Sequence, residues 1–303
     1  MLSRTIDFNL FISQLPENLK NYFQKIAENR NIISKELCEI MISELGIDIE
    51  NVMIMLLPFA AEFARVPVSN YKVGAVVLCK SGNIYLGSNM EFIGEPLSCS
   101  IHAEQSAINN AWLNGENEIV KIAVTSAPCG YCRQFINELT TSKKIKVLLK
   151  NSETNNIEIF EMRQLLPNAF GPKDLNKNGG LLQDENHNIK LDTNNDVLIS
   201  SALQAAKNCY SPYTKNYSGV SLKLENGKIF SGRYAENAAH NPSFSPIQSA
   251  LTFLNMNSLL GLKFEIVDAV LVETKSLISF KNLAQILLST FGDIKLRYYN
   301  IKD

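Results

Sequence analysis

Two short segments of this chain carry residues that could do chemistry together: His102-Ala103-Glu104 and Pro128-Cys129-Gly130-Tyr131-Cys132. They supply one imidazole, two thiols and one carboxylate. Zinc in an open catalytic site takes three protein ligands and keeps a fourth position for water. His102, Cys129 and Cys132 are therefore the candidate ligands, and Glu104 stays off the metal as the candidate proton carrier. Two thiolates balance the charge of the ion, and a water beside the near-neutral cluster can still ionise near neutral pH. Two other readings stand beside this one. A C-x-x-C pair can be a redox couple or half of a structural zinc site. The first wants a thioredoxin-like context, which the flanking sequence lacks. The second wants a fourth ligand, for which Cys99 is at hand.

The spacing dictates the elements that must hold these groups. Cys129 and Cys132 are three apart and share one face of a helix. The run CRQFINEL reads as that helix, over 129–139, with Pro128 at its start, where proline is tolerated. A helix N-terminus favours negative charge and lowers a thiol pKa. His102 and Glu104 are two apart and converge only if the metal lies beyond the first turn of a helix over 103–113. Both segments thus predict a metal between two helix N-termini. Around them, 52–65 reads as a helix ended before Pro67. The stretches 73–78 and 84–87 read as strands joined by a turn at Ser81-Gly82-Asn83, and 119–125 and 145–149 as further strands. Strands alternating with helices imply an α/β fold, a sheet with helices on both faces. Residues 1–48 read as a small helical segment, because Phe23, Ile26, Ile32, Leu37, Ile40 and Met41 recur at helical spacing. The polar, turn-rich stretch 151–190 reads as a surface linker carrying a solvated His187.

The second half echoes the first, with 212–254 repeating 67–111. A helix from Val197 ends near Cys209. Tyr217-Ser218-Gly219-Val220 matches Tyr71-Lys72-Val73-Gly74-Ala75, Asn226-Gly227 matches Ser81-Gly82, and Glu236 matches Glu91. Ser245-Pro246-Ile247-Gln248-Ser249-Ala250 stands where His102-Ala103-Glu104-Gln105-Ser106-Ala107 stood. The ligand has become serine, the carboxylate has become isoleucine, and no Cys pair follows. A duplicated domain that keeps the fold and loses the metal is the expectation, hence one zinc per chain. The expected organisation is a helical segment at 1–48, a metal-bearing domain at 49–150, a linker at 151–190 and a degenerate domain at 191–303.

Composition narrows the partners. Lys plus Arg number 29 against 30 Asp plus Glu, so no basic excess attracts a phosphate backbone and no nucleic-acid partner is expected. The N-terminal stretch shows no signal peptide. The longest apolar run, 52–61, is broken by Pro58 and is too short to span a bilayer, so no membrane partner is expected. Six cysteines without disulfide-framework spacing point to the cytoplasm.

Over nearly its whole length the chain resembles the two-domain, homodimeric bacterial cytidine deaminases. The resemblance rests on LPFAAEFARVPVSNYKVGAV, LGSNMEFIG, HAEQSAINNAW, PCGYCRQFINEL, LPNAFGPKDL and GRYAENAAHNP. It implies duplicated three-layer α-β-α domains with a mixed sheet, and hydrolytic deamination of cytidine and deoxycytidine in pyrimidine salvage. Glu104 would carry protons from the attacking water to ring N3 and to the departing amine. Asn89 and Glu91 would hold ribose hydroxyls. Tyr71 stands where the family usually has a phenylalanine stacked on the pyrimidine. The Ala103 N–H and Ala127 carbonyl would read the base edges. Phe170 would reach the partner subunit's site, which Ala239 would also line, so the active sites of the homodimer would be shared. Simpler readings remain beside these: Tyr71 and Phe170 as core aromatics, Glu91 as a solvated charge. Another cytosine-type substrate, such as deoxycytidylate, or a catalytically silent zinc-binding interaction protein are the alternative functions. The Asn89 and Glu91 pair argues against the first and intact Glu104 against the second.

Overall fold

A computed structural model describes residues 8–151, 153–257 and 265–301. The chain opens with α1 (Phe8–Gln14), α2 (Glu17–Glu28) and α3 (Lys35–Leu45), so the first seven residues of the expected helical segment lie outside the described residues. Ser34 caps α3 by accepting from the Leu37 N–H, and Gly46 ends it at φ 64°, a left-handed position that glycine adopts without a Cβ penalty. Phe23, Ile26 and Met41 are buried as expected, but Ile40 faces solvent. Ile32 is not helical. Arg30 and Asn31 sit at positive φ, which breaks the helical run and turns Ile32–Ile33 into the two-residue strand β1.

The first sheet adds to β1 the strands β2 (Gly74–Cys79), β3 (Ile84–Ser88), β4 (Ile119–Val124), β5 (Lys146–Lys150) and β6 (Ile157–Glu161). Their order is β1-β3-β2-β4-β5-β6. Only β4 and β5 pair in parallel. Helix α4 (Ile49–Glu62) covers one face, and α5 (Ala103–Leu113) with α6 (Gly130–Asn137) covers the other. Side chains of a strand alternate between faces. Val76 accordingly joins Leu56 and Phe59 of α4, while Ala75 and Val77 join Ala107 and Ala111 of α5. Strand β6 lies inside the stretch expected to be linker and is followed by α7 (Met162–Leu165). It pairs antiparallel with β5 at the sheet edge, and its outward glutamates disguised it as loop. His187 is not simply solvated either. Its ring stacks on Tyr217 at 3.7 Å, and its Nε2 lies 2.9 Å from the Cys209 carbonyl.

The second unit runs α8 (Val197–Lys207), β7 (Ser218–Leu224), β8 (Ile229–Arg233), α9 (Pro246–Asn257), β9 (Ile266–Thr274), α10 (Lys281–Ser289) and β10 (Leu296–Ile301). Its sheet has the order β10-β9-β7-β8, again with one parallel pair, β9 with β10. Helix α8 packs on one face, α9 and α10 on the other. The chain is thus a duplicated three-layer α-β-α structure. The two units meet along α5 and α9. Ser106 and Thr252 share a hydrogen bond at 2.6 Å, and Asn109 exchanges two with Ser249. Gln105 donates to the Pro242 carbonyl and Gln248 donates to the Cys99 carbonyl, a near-symmetric exchange.

Glycines set the register between the repeats. A Cβ on Gly74 would overlap the Leu57 carbonyl and the Ala61 nitrogen of α4; a Cβ on Gly219 would overlap the Ala202 carbonyl and the Ala206 nitrogen of α8. Gly74 and Gly219 are therefore equivalent. The residue equivalent to Tyr71 is Asn216, and Tyr217 corresponds to Lys72, a correction to a match anchored on the two tyrosines.

Candidate active site

Each half of the site starts a helix. His102 is the N-cap of α5 and Cys129 is the N-cap of α6. The His102 N–H donates to Gln105 Oε1 at 3.4 Å, so the glutamine side chain satisfies the backbone at the start of α5. Arg133 holds the turn before α6 by donating from Nε to the Pro128 carbonyl at 2.7 Å and from Nη1 to the Leu165 carbonyl at 2.9 Å. The two helix ends bring three donors together. His102 Nδ1 lies 3.5 Å from Cys129 Sγ and 3.3 Å from Cys132 Sγ, and all three ligand atoms fall within 4.8 Å of one another. Among the described residues no other His, Cys, Asp and Glu side chains form such a group, and Cys99 is not part of this one. The closed four-ligand alternative therefore finds no support from Cys99.

The thiols are electronically unequal. A hydrogen bond from Cys132, supported by backbone N–H groups and by His102, holds the Cys129 thiol down to about 5. The same bond and its own burial push the Cys132 thiol well above its ordinary range. Glu104, in the first turn of α5, is only 4 % exposed, and that burial pushes its carboxyl up despite a contact with Cys132. A carboxyl raised in this way is suited to taking up and releasing a proton. The Tyr131 ring leans over the His102 ring, centroids 5.3 Å apart. One imidazole and two thiolates form a borderline-soft donor set that suits zinc, and three donors leave a fourth position open. The residues present fit the metal.

The remaining candidates sit around this centre in different ways. Asn89 accepts from the Val73 N–H at 2.9 Å and donates to the Tyr71 carbonyl at 2.9 Å. Glu91 Oε2 accepts from the Val68 and Ser69 N–H groups at 2.9 and 3.0 Å. Both therefore brace the 68–73 loop, so Glu91 is not a free surface charge. Tyr71 is 60 % exposed and shares a hydrogen bond with Ser126 at 2.7 Å, which removes the core-aromatic reading. Ala103 is buried at the start of α5, and Ala127 is exposed just before Pro128. Phe170 is not a core aromatic; its ring is exposed while Gln134 and Asn137 of α6 both donate to its carbonyl, at 2.8 and 2.9 Å. Ala239 is exposed on the second unit, two residues after Asn237, whose Oδ1 Gln134 also reaches. For Tyr131 and Arg133 the sequence offers no signal beyond their place inside and just after the C-x-x-C pair.

A three-layer α/β unit with His, Cys and Cys at two helix N-termini and a buried carboxylate beside them defines a zinc-dependent deaminase type of site. A family model described as "Cytidine and deoxycytidylate deaminase zinc-binding region" matches residues 47–148, and a second of the same description matches residues 162–285. A "Cytidine deaminase" of Photobacterium profundum is 42% identical over 95% of this chain and 96% of its own length. Another "Cytidine deaminase", of Photorhabdus laumondii, is 40% identical over 94% of this chain and 96% of its own. The crystal structure of cytidine deaminase from Burkholderia pseudomallei shows 33% identity and a TM-score of 0.36, covering 40% of this chain and 98% of that chain. The chain belongs to the cytidine deaminase family.

Proposed function

We propose that this chain hydrolyses cytidine and deoxycytidine to uridine and deoxyuridine, releasing ammonia. The observation that carries this reading is the buried Glu104 beside the His102, Cys129 and Cys132 group, in a chain 42% identical over nearly its full length to a cytidine deaminase. His102, Cys129 and Cys132 would hold one zinc. When bound, zinc acidifies a water molecule and supplies a nucleophile near neutral pH. Glu104 takes a proton from the water that attacks C4 and delivers it to N3. Carbon four becomes tetrahedral. Glu104 then carries the remaining hydroxyl proton to the amino group, the C4–N bond breaks and ammonia leaves. Positioned proton transfer of this kind contributes roughly 10²–10⁴-fold. In this reading the Ala103 N–H and the Ala127 carbonyl read the base, Tyr71 stacks on it, and Asn89 and Glu91 bind the sugar. A carboxylate at that position favours a neutral nucleoside over a phosphorylated one.

Two subunits are part of this reading. The exposed side chains of Tyr71, Ile93, Leu97 and Phe170 support a second copy covering apolar surface, with Phe170 and Ala239 completing its neighbour's site. Among the described residues no helix is long and apolar enough to cross a membrane. A cytoplasmic role in pyrimidine salvage belongs to the same reading. The test is ammonia release from cytidine, deoxycytidine, deoxycytidylate, cytosine and adenosine. The two nucleosides should dominate. Release only from deoxycytidylate, or from none, would overturn the reading.

A further inference from the structure

The helix that carries Cys129 and Cys132 is fastened to the second repeat as well as to its own sheet. Glu138 caps the C-terminal end of α6 and is fully buried. Its Oε1 accepts from the Tyr210 hydroxyl at 2.8 Å and from the Tyr213 hydroxyl at 2.5 Å, and its Oε2 accepts from the Ala238 N–H at 2.9 Å. All three donors belong to the second repeat. Gln134, a turn earlier, adds a fourth tie, because its carbonyl accepts from Asn237 Nδ2 at 3.1 Å.

This carboxylate is costly where it stands. The helix macrodipole disfavours negative charge at a C-terminus, and burial strips its hydration; that burial pushes its carboxyl up. The equivalent helix of the second repeat packs without such a carboxylate. Counted from the N-caps, Cys129 in α6 and Phe280 in α10, the position equivalent to Glu138 is Ser289. Ser289 is exposed and bonds only to Ile286 of its own helix. The buried anchor occurs on the helix that carries thiol donors and is absent from the helix that carries none. The α6 helix has only eight residues, too short to hold its direction by its own backbone bonds, so tertiary ties set its axis.

We propose that Glu138 is a positioning residue for the metal centre. The second repeat grips its carboxylate through Tyr210, Tyr213 and Ala238, fixes the axis of α6, and thereby holds Cys129 and Cys132 at working distance from His102. The degenerate repeat is in this sense the backing of the site. The inference rests on His102, Cys129 and Cys132 being the zinc ligands.

The test compares the zinc-loaded parent with Tyr210→Phe/Tyr213→Phe, Tyr213→Phe, Glu138→Gln and Glu138→Ala. It reads the rate of zinc transfer to a chromogenic chelator, the visible thiolate–metal bands after cobalt substitution, kcat and KM separately, and melting of the metal-free proteins. In the double tyrosine variant, zinc loss should speed up at least fivefold, the cobalt bands should shift, and kcat should fall while KM stays within twofold. Glu138→Gln should lie between the parent and Glu138→Ala. Should Glu138→Ala fail to fold, the tyrosine variants, which delete only hydroxyls, carry the comparison. Zinc loss accelerated less than fivefold in every folded variant, whatever its melting temperature, would overturn the role of Glu138. A parent that takes up no zinc would instead refute the zinc reading itself.

Discussion

The two repeats share a four-stranded core with its covering helices and differ at four side chains where one of them has its metal group. A Cβ on Gly87 would overlap the Ala107 nitrogen, and a Cβ on Gly232 would overlap the Ala250 nitrogen. Ser106 Oγ accepts from the Ser88 N–H at 3.2 Å, and Ser249 Oγ from the Arg233 N–H at 3.1 Å. Glu91 accepts from two consecutive N–H groups at Val68 and Ser69; Glu236 does the same at Tyr213 and Thr214. Against this sameness, His102 is replaced by Ser245, Glu104 by the fully buried Ile247, and Cys129 and Cys132, counted from the helix N-cap, by Phe280 and Leu283. Phe280 packs on Tyr234, ring centroids 4.6 Å apart, and joins Ile247 in the core. Close helix–strand approach and a braced loop therefore hold the fold, and the metal is not needed for it. The loop brace made by Glu91 survives as Glu236 in the repeat without the metal group, so the sugar contact proposed for Glu91 is a second job that Glu236 does not share.

The comparison breaks most easily at Glu104. Glu104→Ala should keep zinc and lose roughly 10²–10⁴-fold in kcat, whereas Ile247→Ala should leave kcat nearly intact and lower stability by about 2–5 kcal/mol. Metal content and steady-state kinetics on both variants decide this, and loss of zinc from Glu104→Ala would make Glu104 a ligand. Next comes the shared carboxylate. Glu91→Ala should lower kcat/KM for cytidine by tens to hundreds, the scale of a hydrogen bond to a charged group at about 1.5–3 kcal/mol, while free cytosine, which has no sugar, changes little. Glu236→Ala should lower the melting temperature and leave KM alone. An equal KM effect from both would mean that the brace, not the sugar contact, governs binding.

Smaller effects sharpen the same symmetry. Gly87→Ala and Gly232→Ala each force a methyl into backbone of the covering helix, an overpacking worth about 1–3 kcal/mol or more. Denaturant unfolding should show similar losses for the two, with activity falling in Gly87→Ala alone. The least effect is expected at the helix caps. Asp48 caps α4 and Asp196 caps α8, but Asp196 also pairs with Arg297 at 2.7 Å. Asp196→Ala should therefore lower the melting temperature slightly more than Asp48→Ala. Arg297 holds the Asp196 carboxyl below the usual aspartate range. A group with a depressed folded-state pKa stabilises above its unfolded pKa and stops doing so as pH falls through the folded value. The gap between Asp196→Ala and the parent should thus close in acid, which a melting series against pH reads directly.

The candidate site was legible because its chemistry demands particular residue types at fixed spacing. The His102 and Glu104 pair announced the start of α5, which runs over Ala103–Leu113 as the spacing requires, and the C-x-x-C pair announced α6. Loss of the second site was legible for the same reason: Ser245 and Ile247 cannot do what His102 and Glu104 can. Features set by distant partners stayed hidden. Two residues make β1, and only pairing with β3 makes them a strand. The glutamates of β6 look like loop until β5 lies beside them. His187 reads as polar-tract filler until Tyr217 stacks on it. Glu138 resembles any solvated charge at a helix end until Tyr210, Tyr213 and Ala238 arrive from the other repeat.

One repeat holds the metal group and the other has none of its ligands, so elemental analysis of the purified protein, expressed as zinc per chain, distinguishes the two. The two repeats as described predict one tightly bound zinc per chain, abolished by Cys129→Ala and unchanged by Ser245→Ala. Two zinc ions per chain, or one that survives Cys129→Ala, would contradict it.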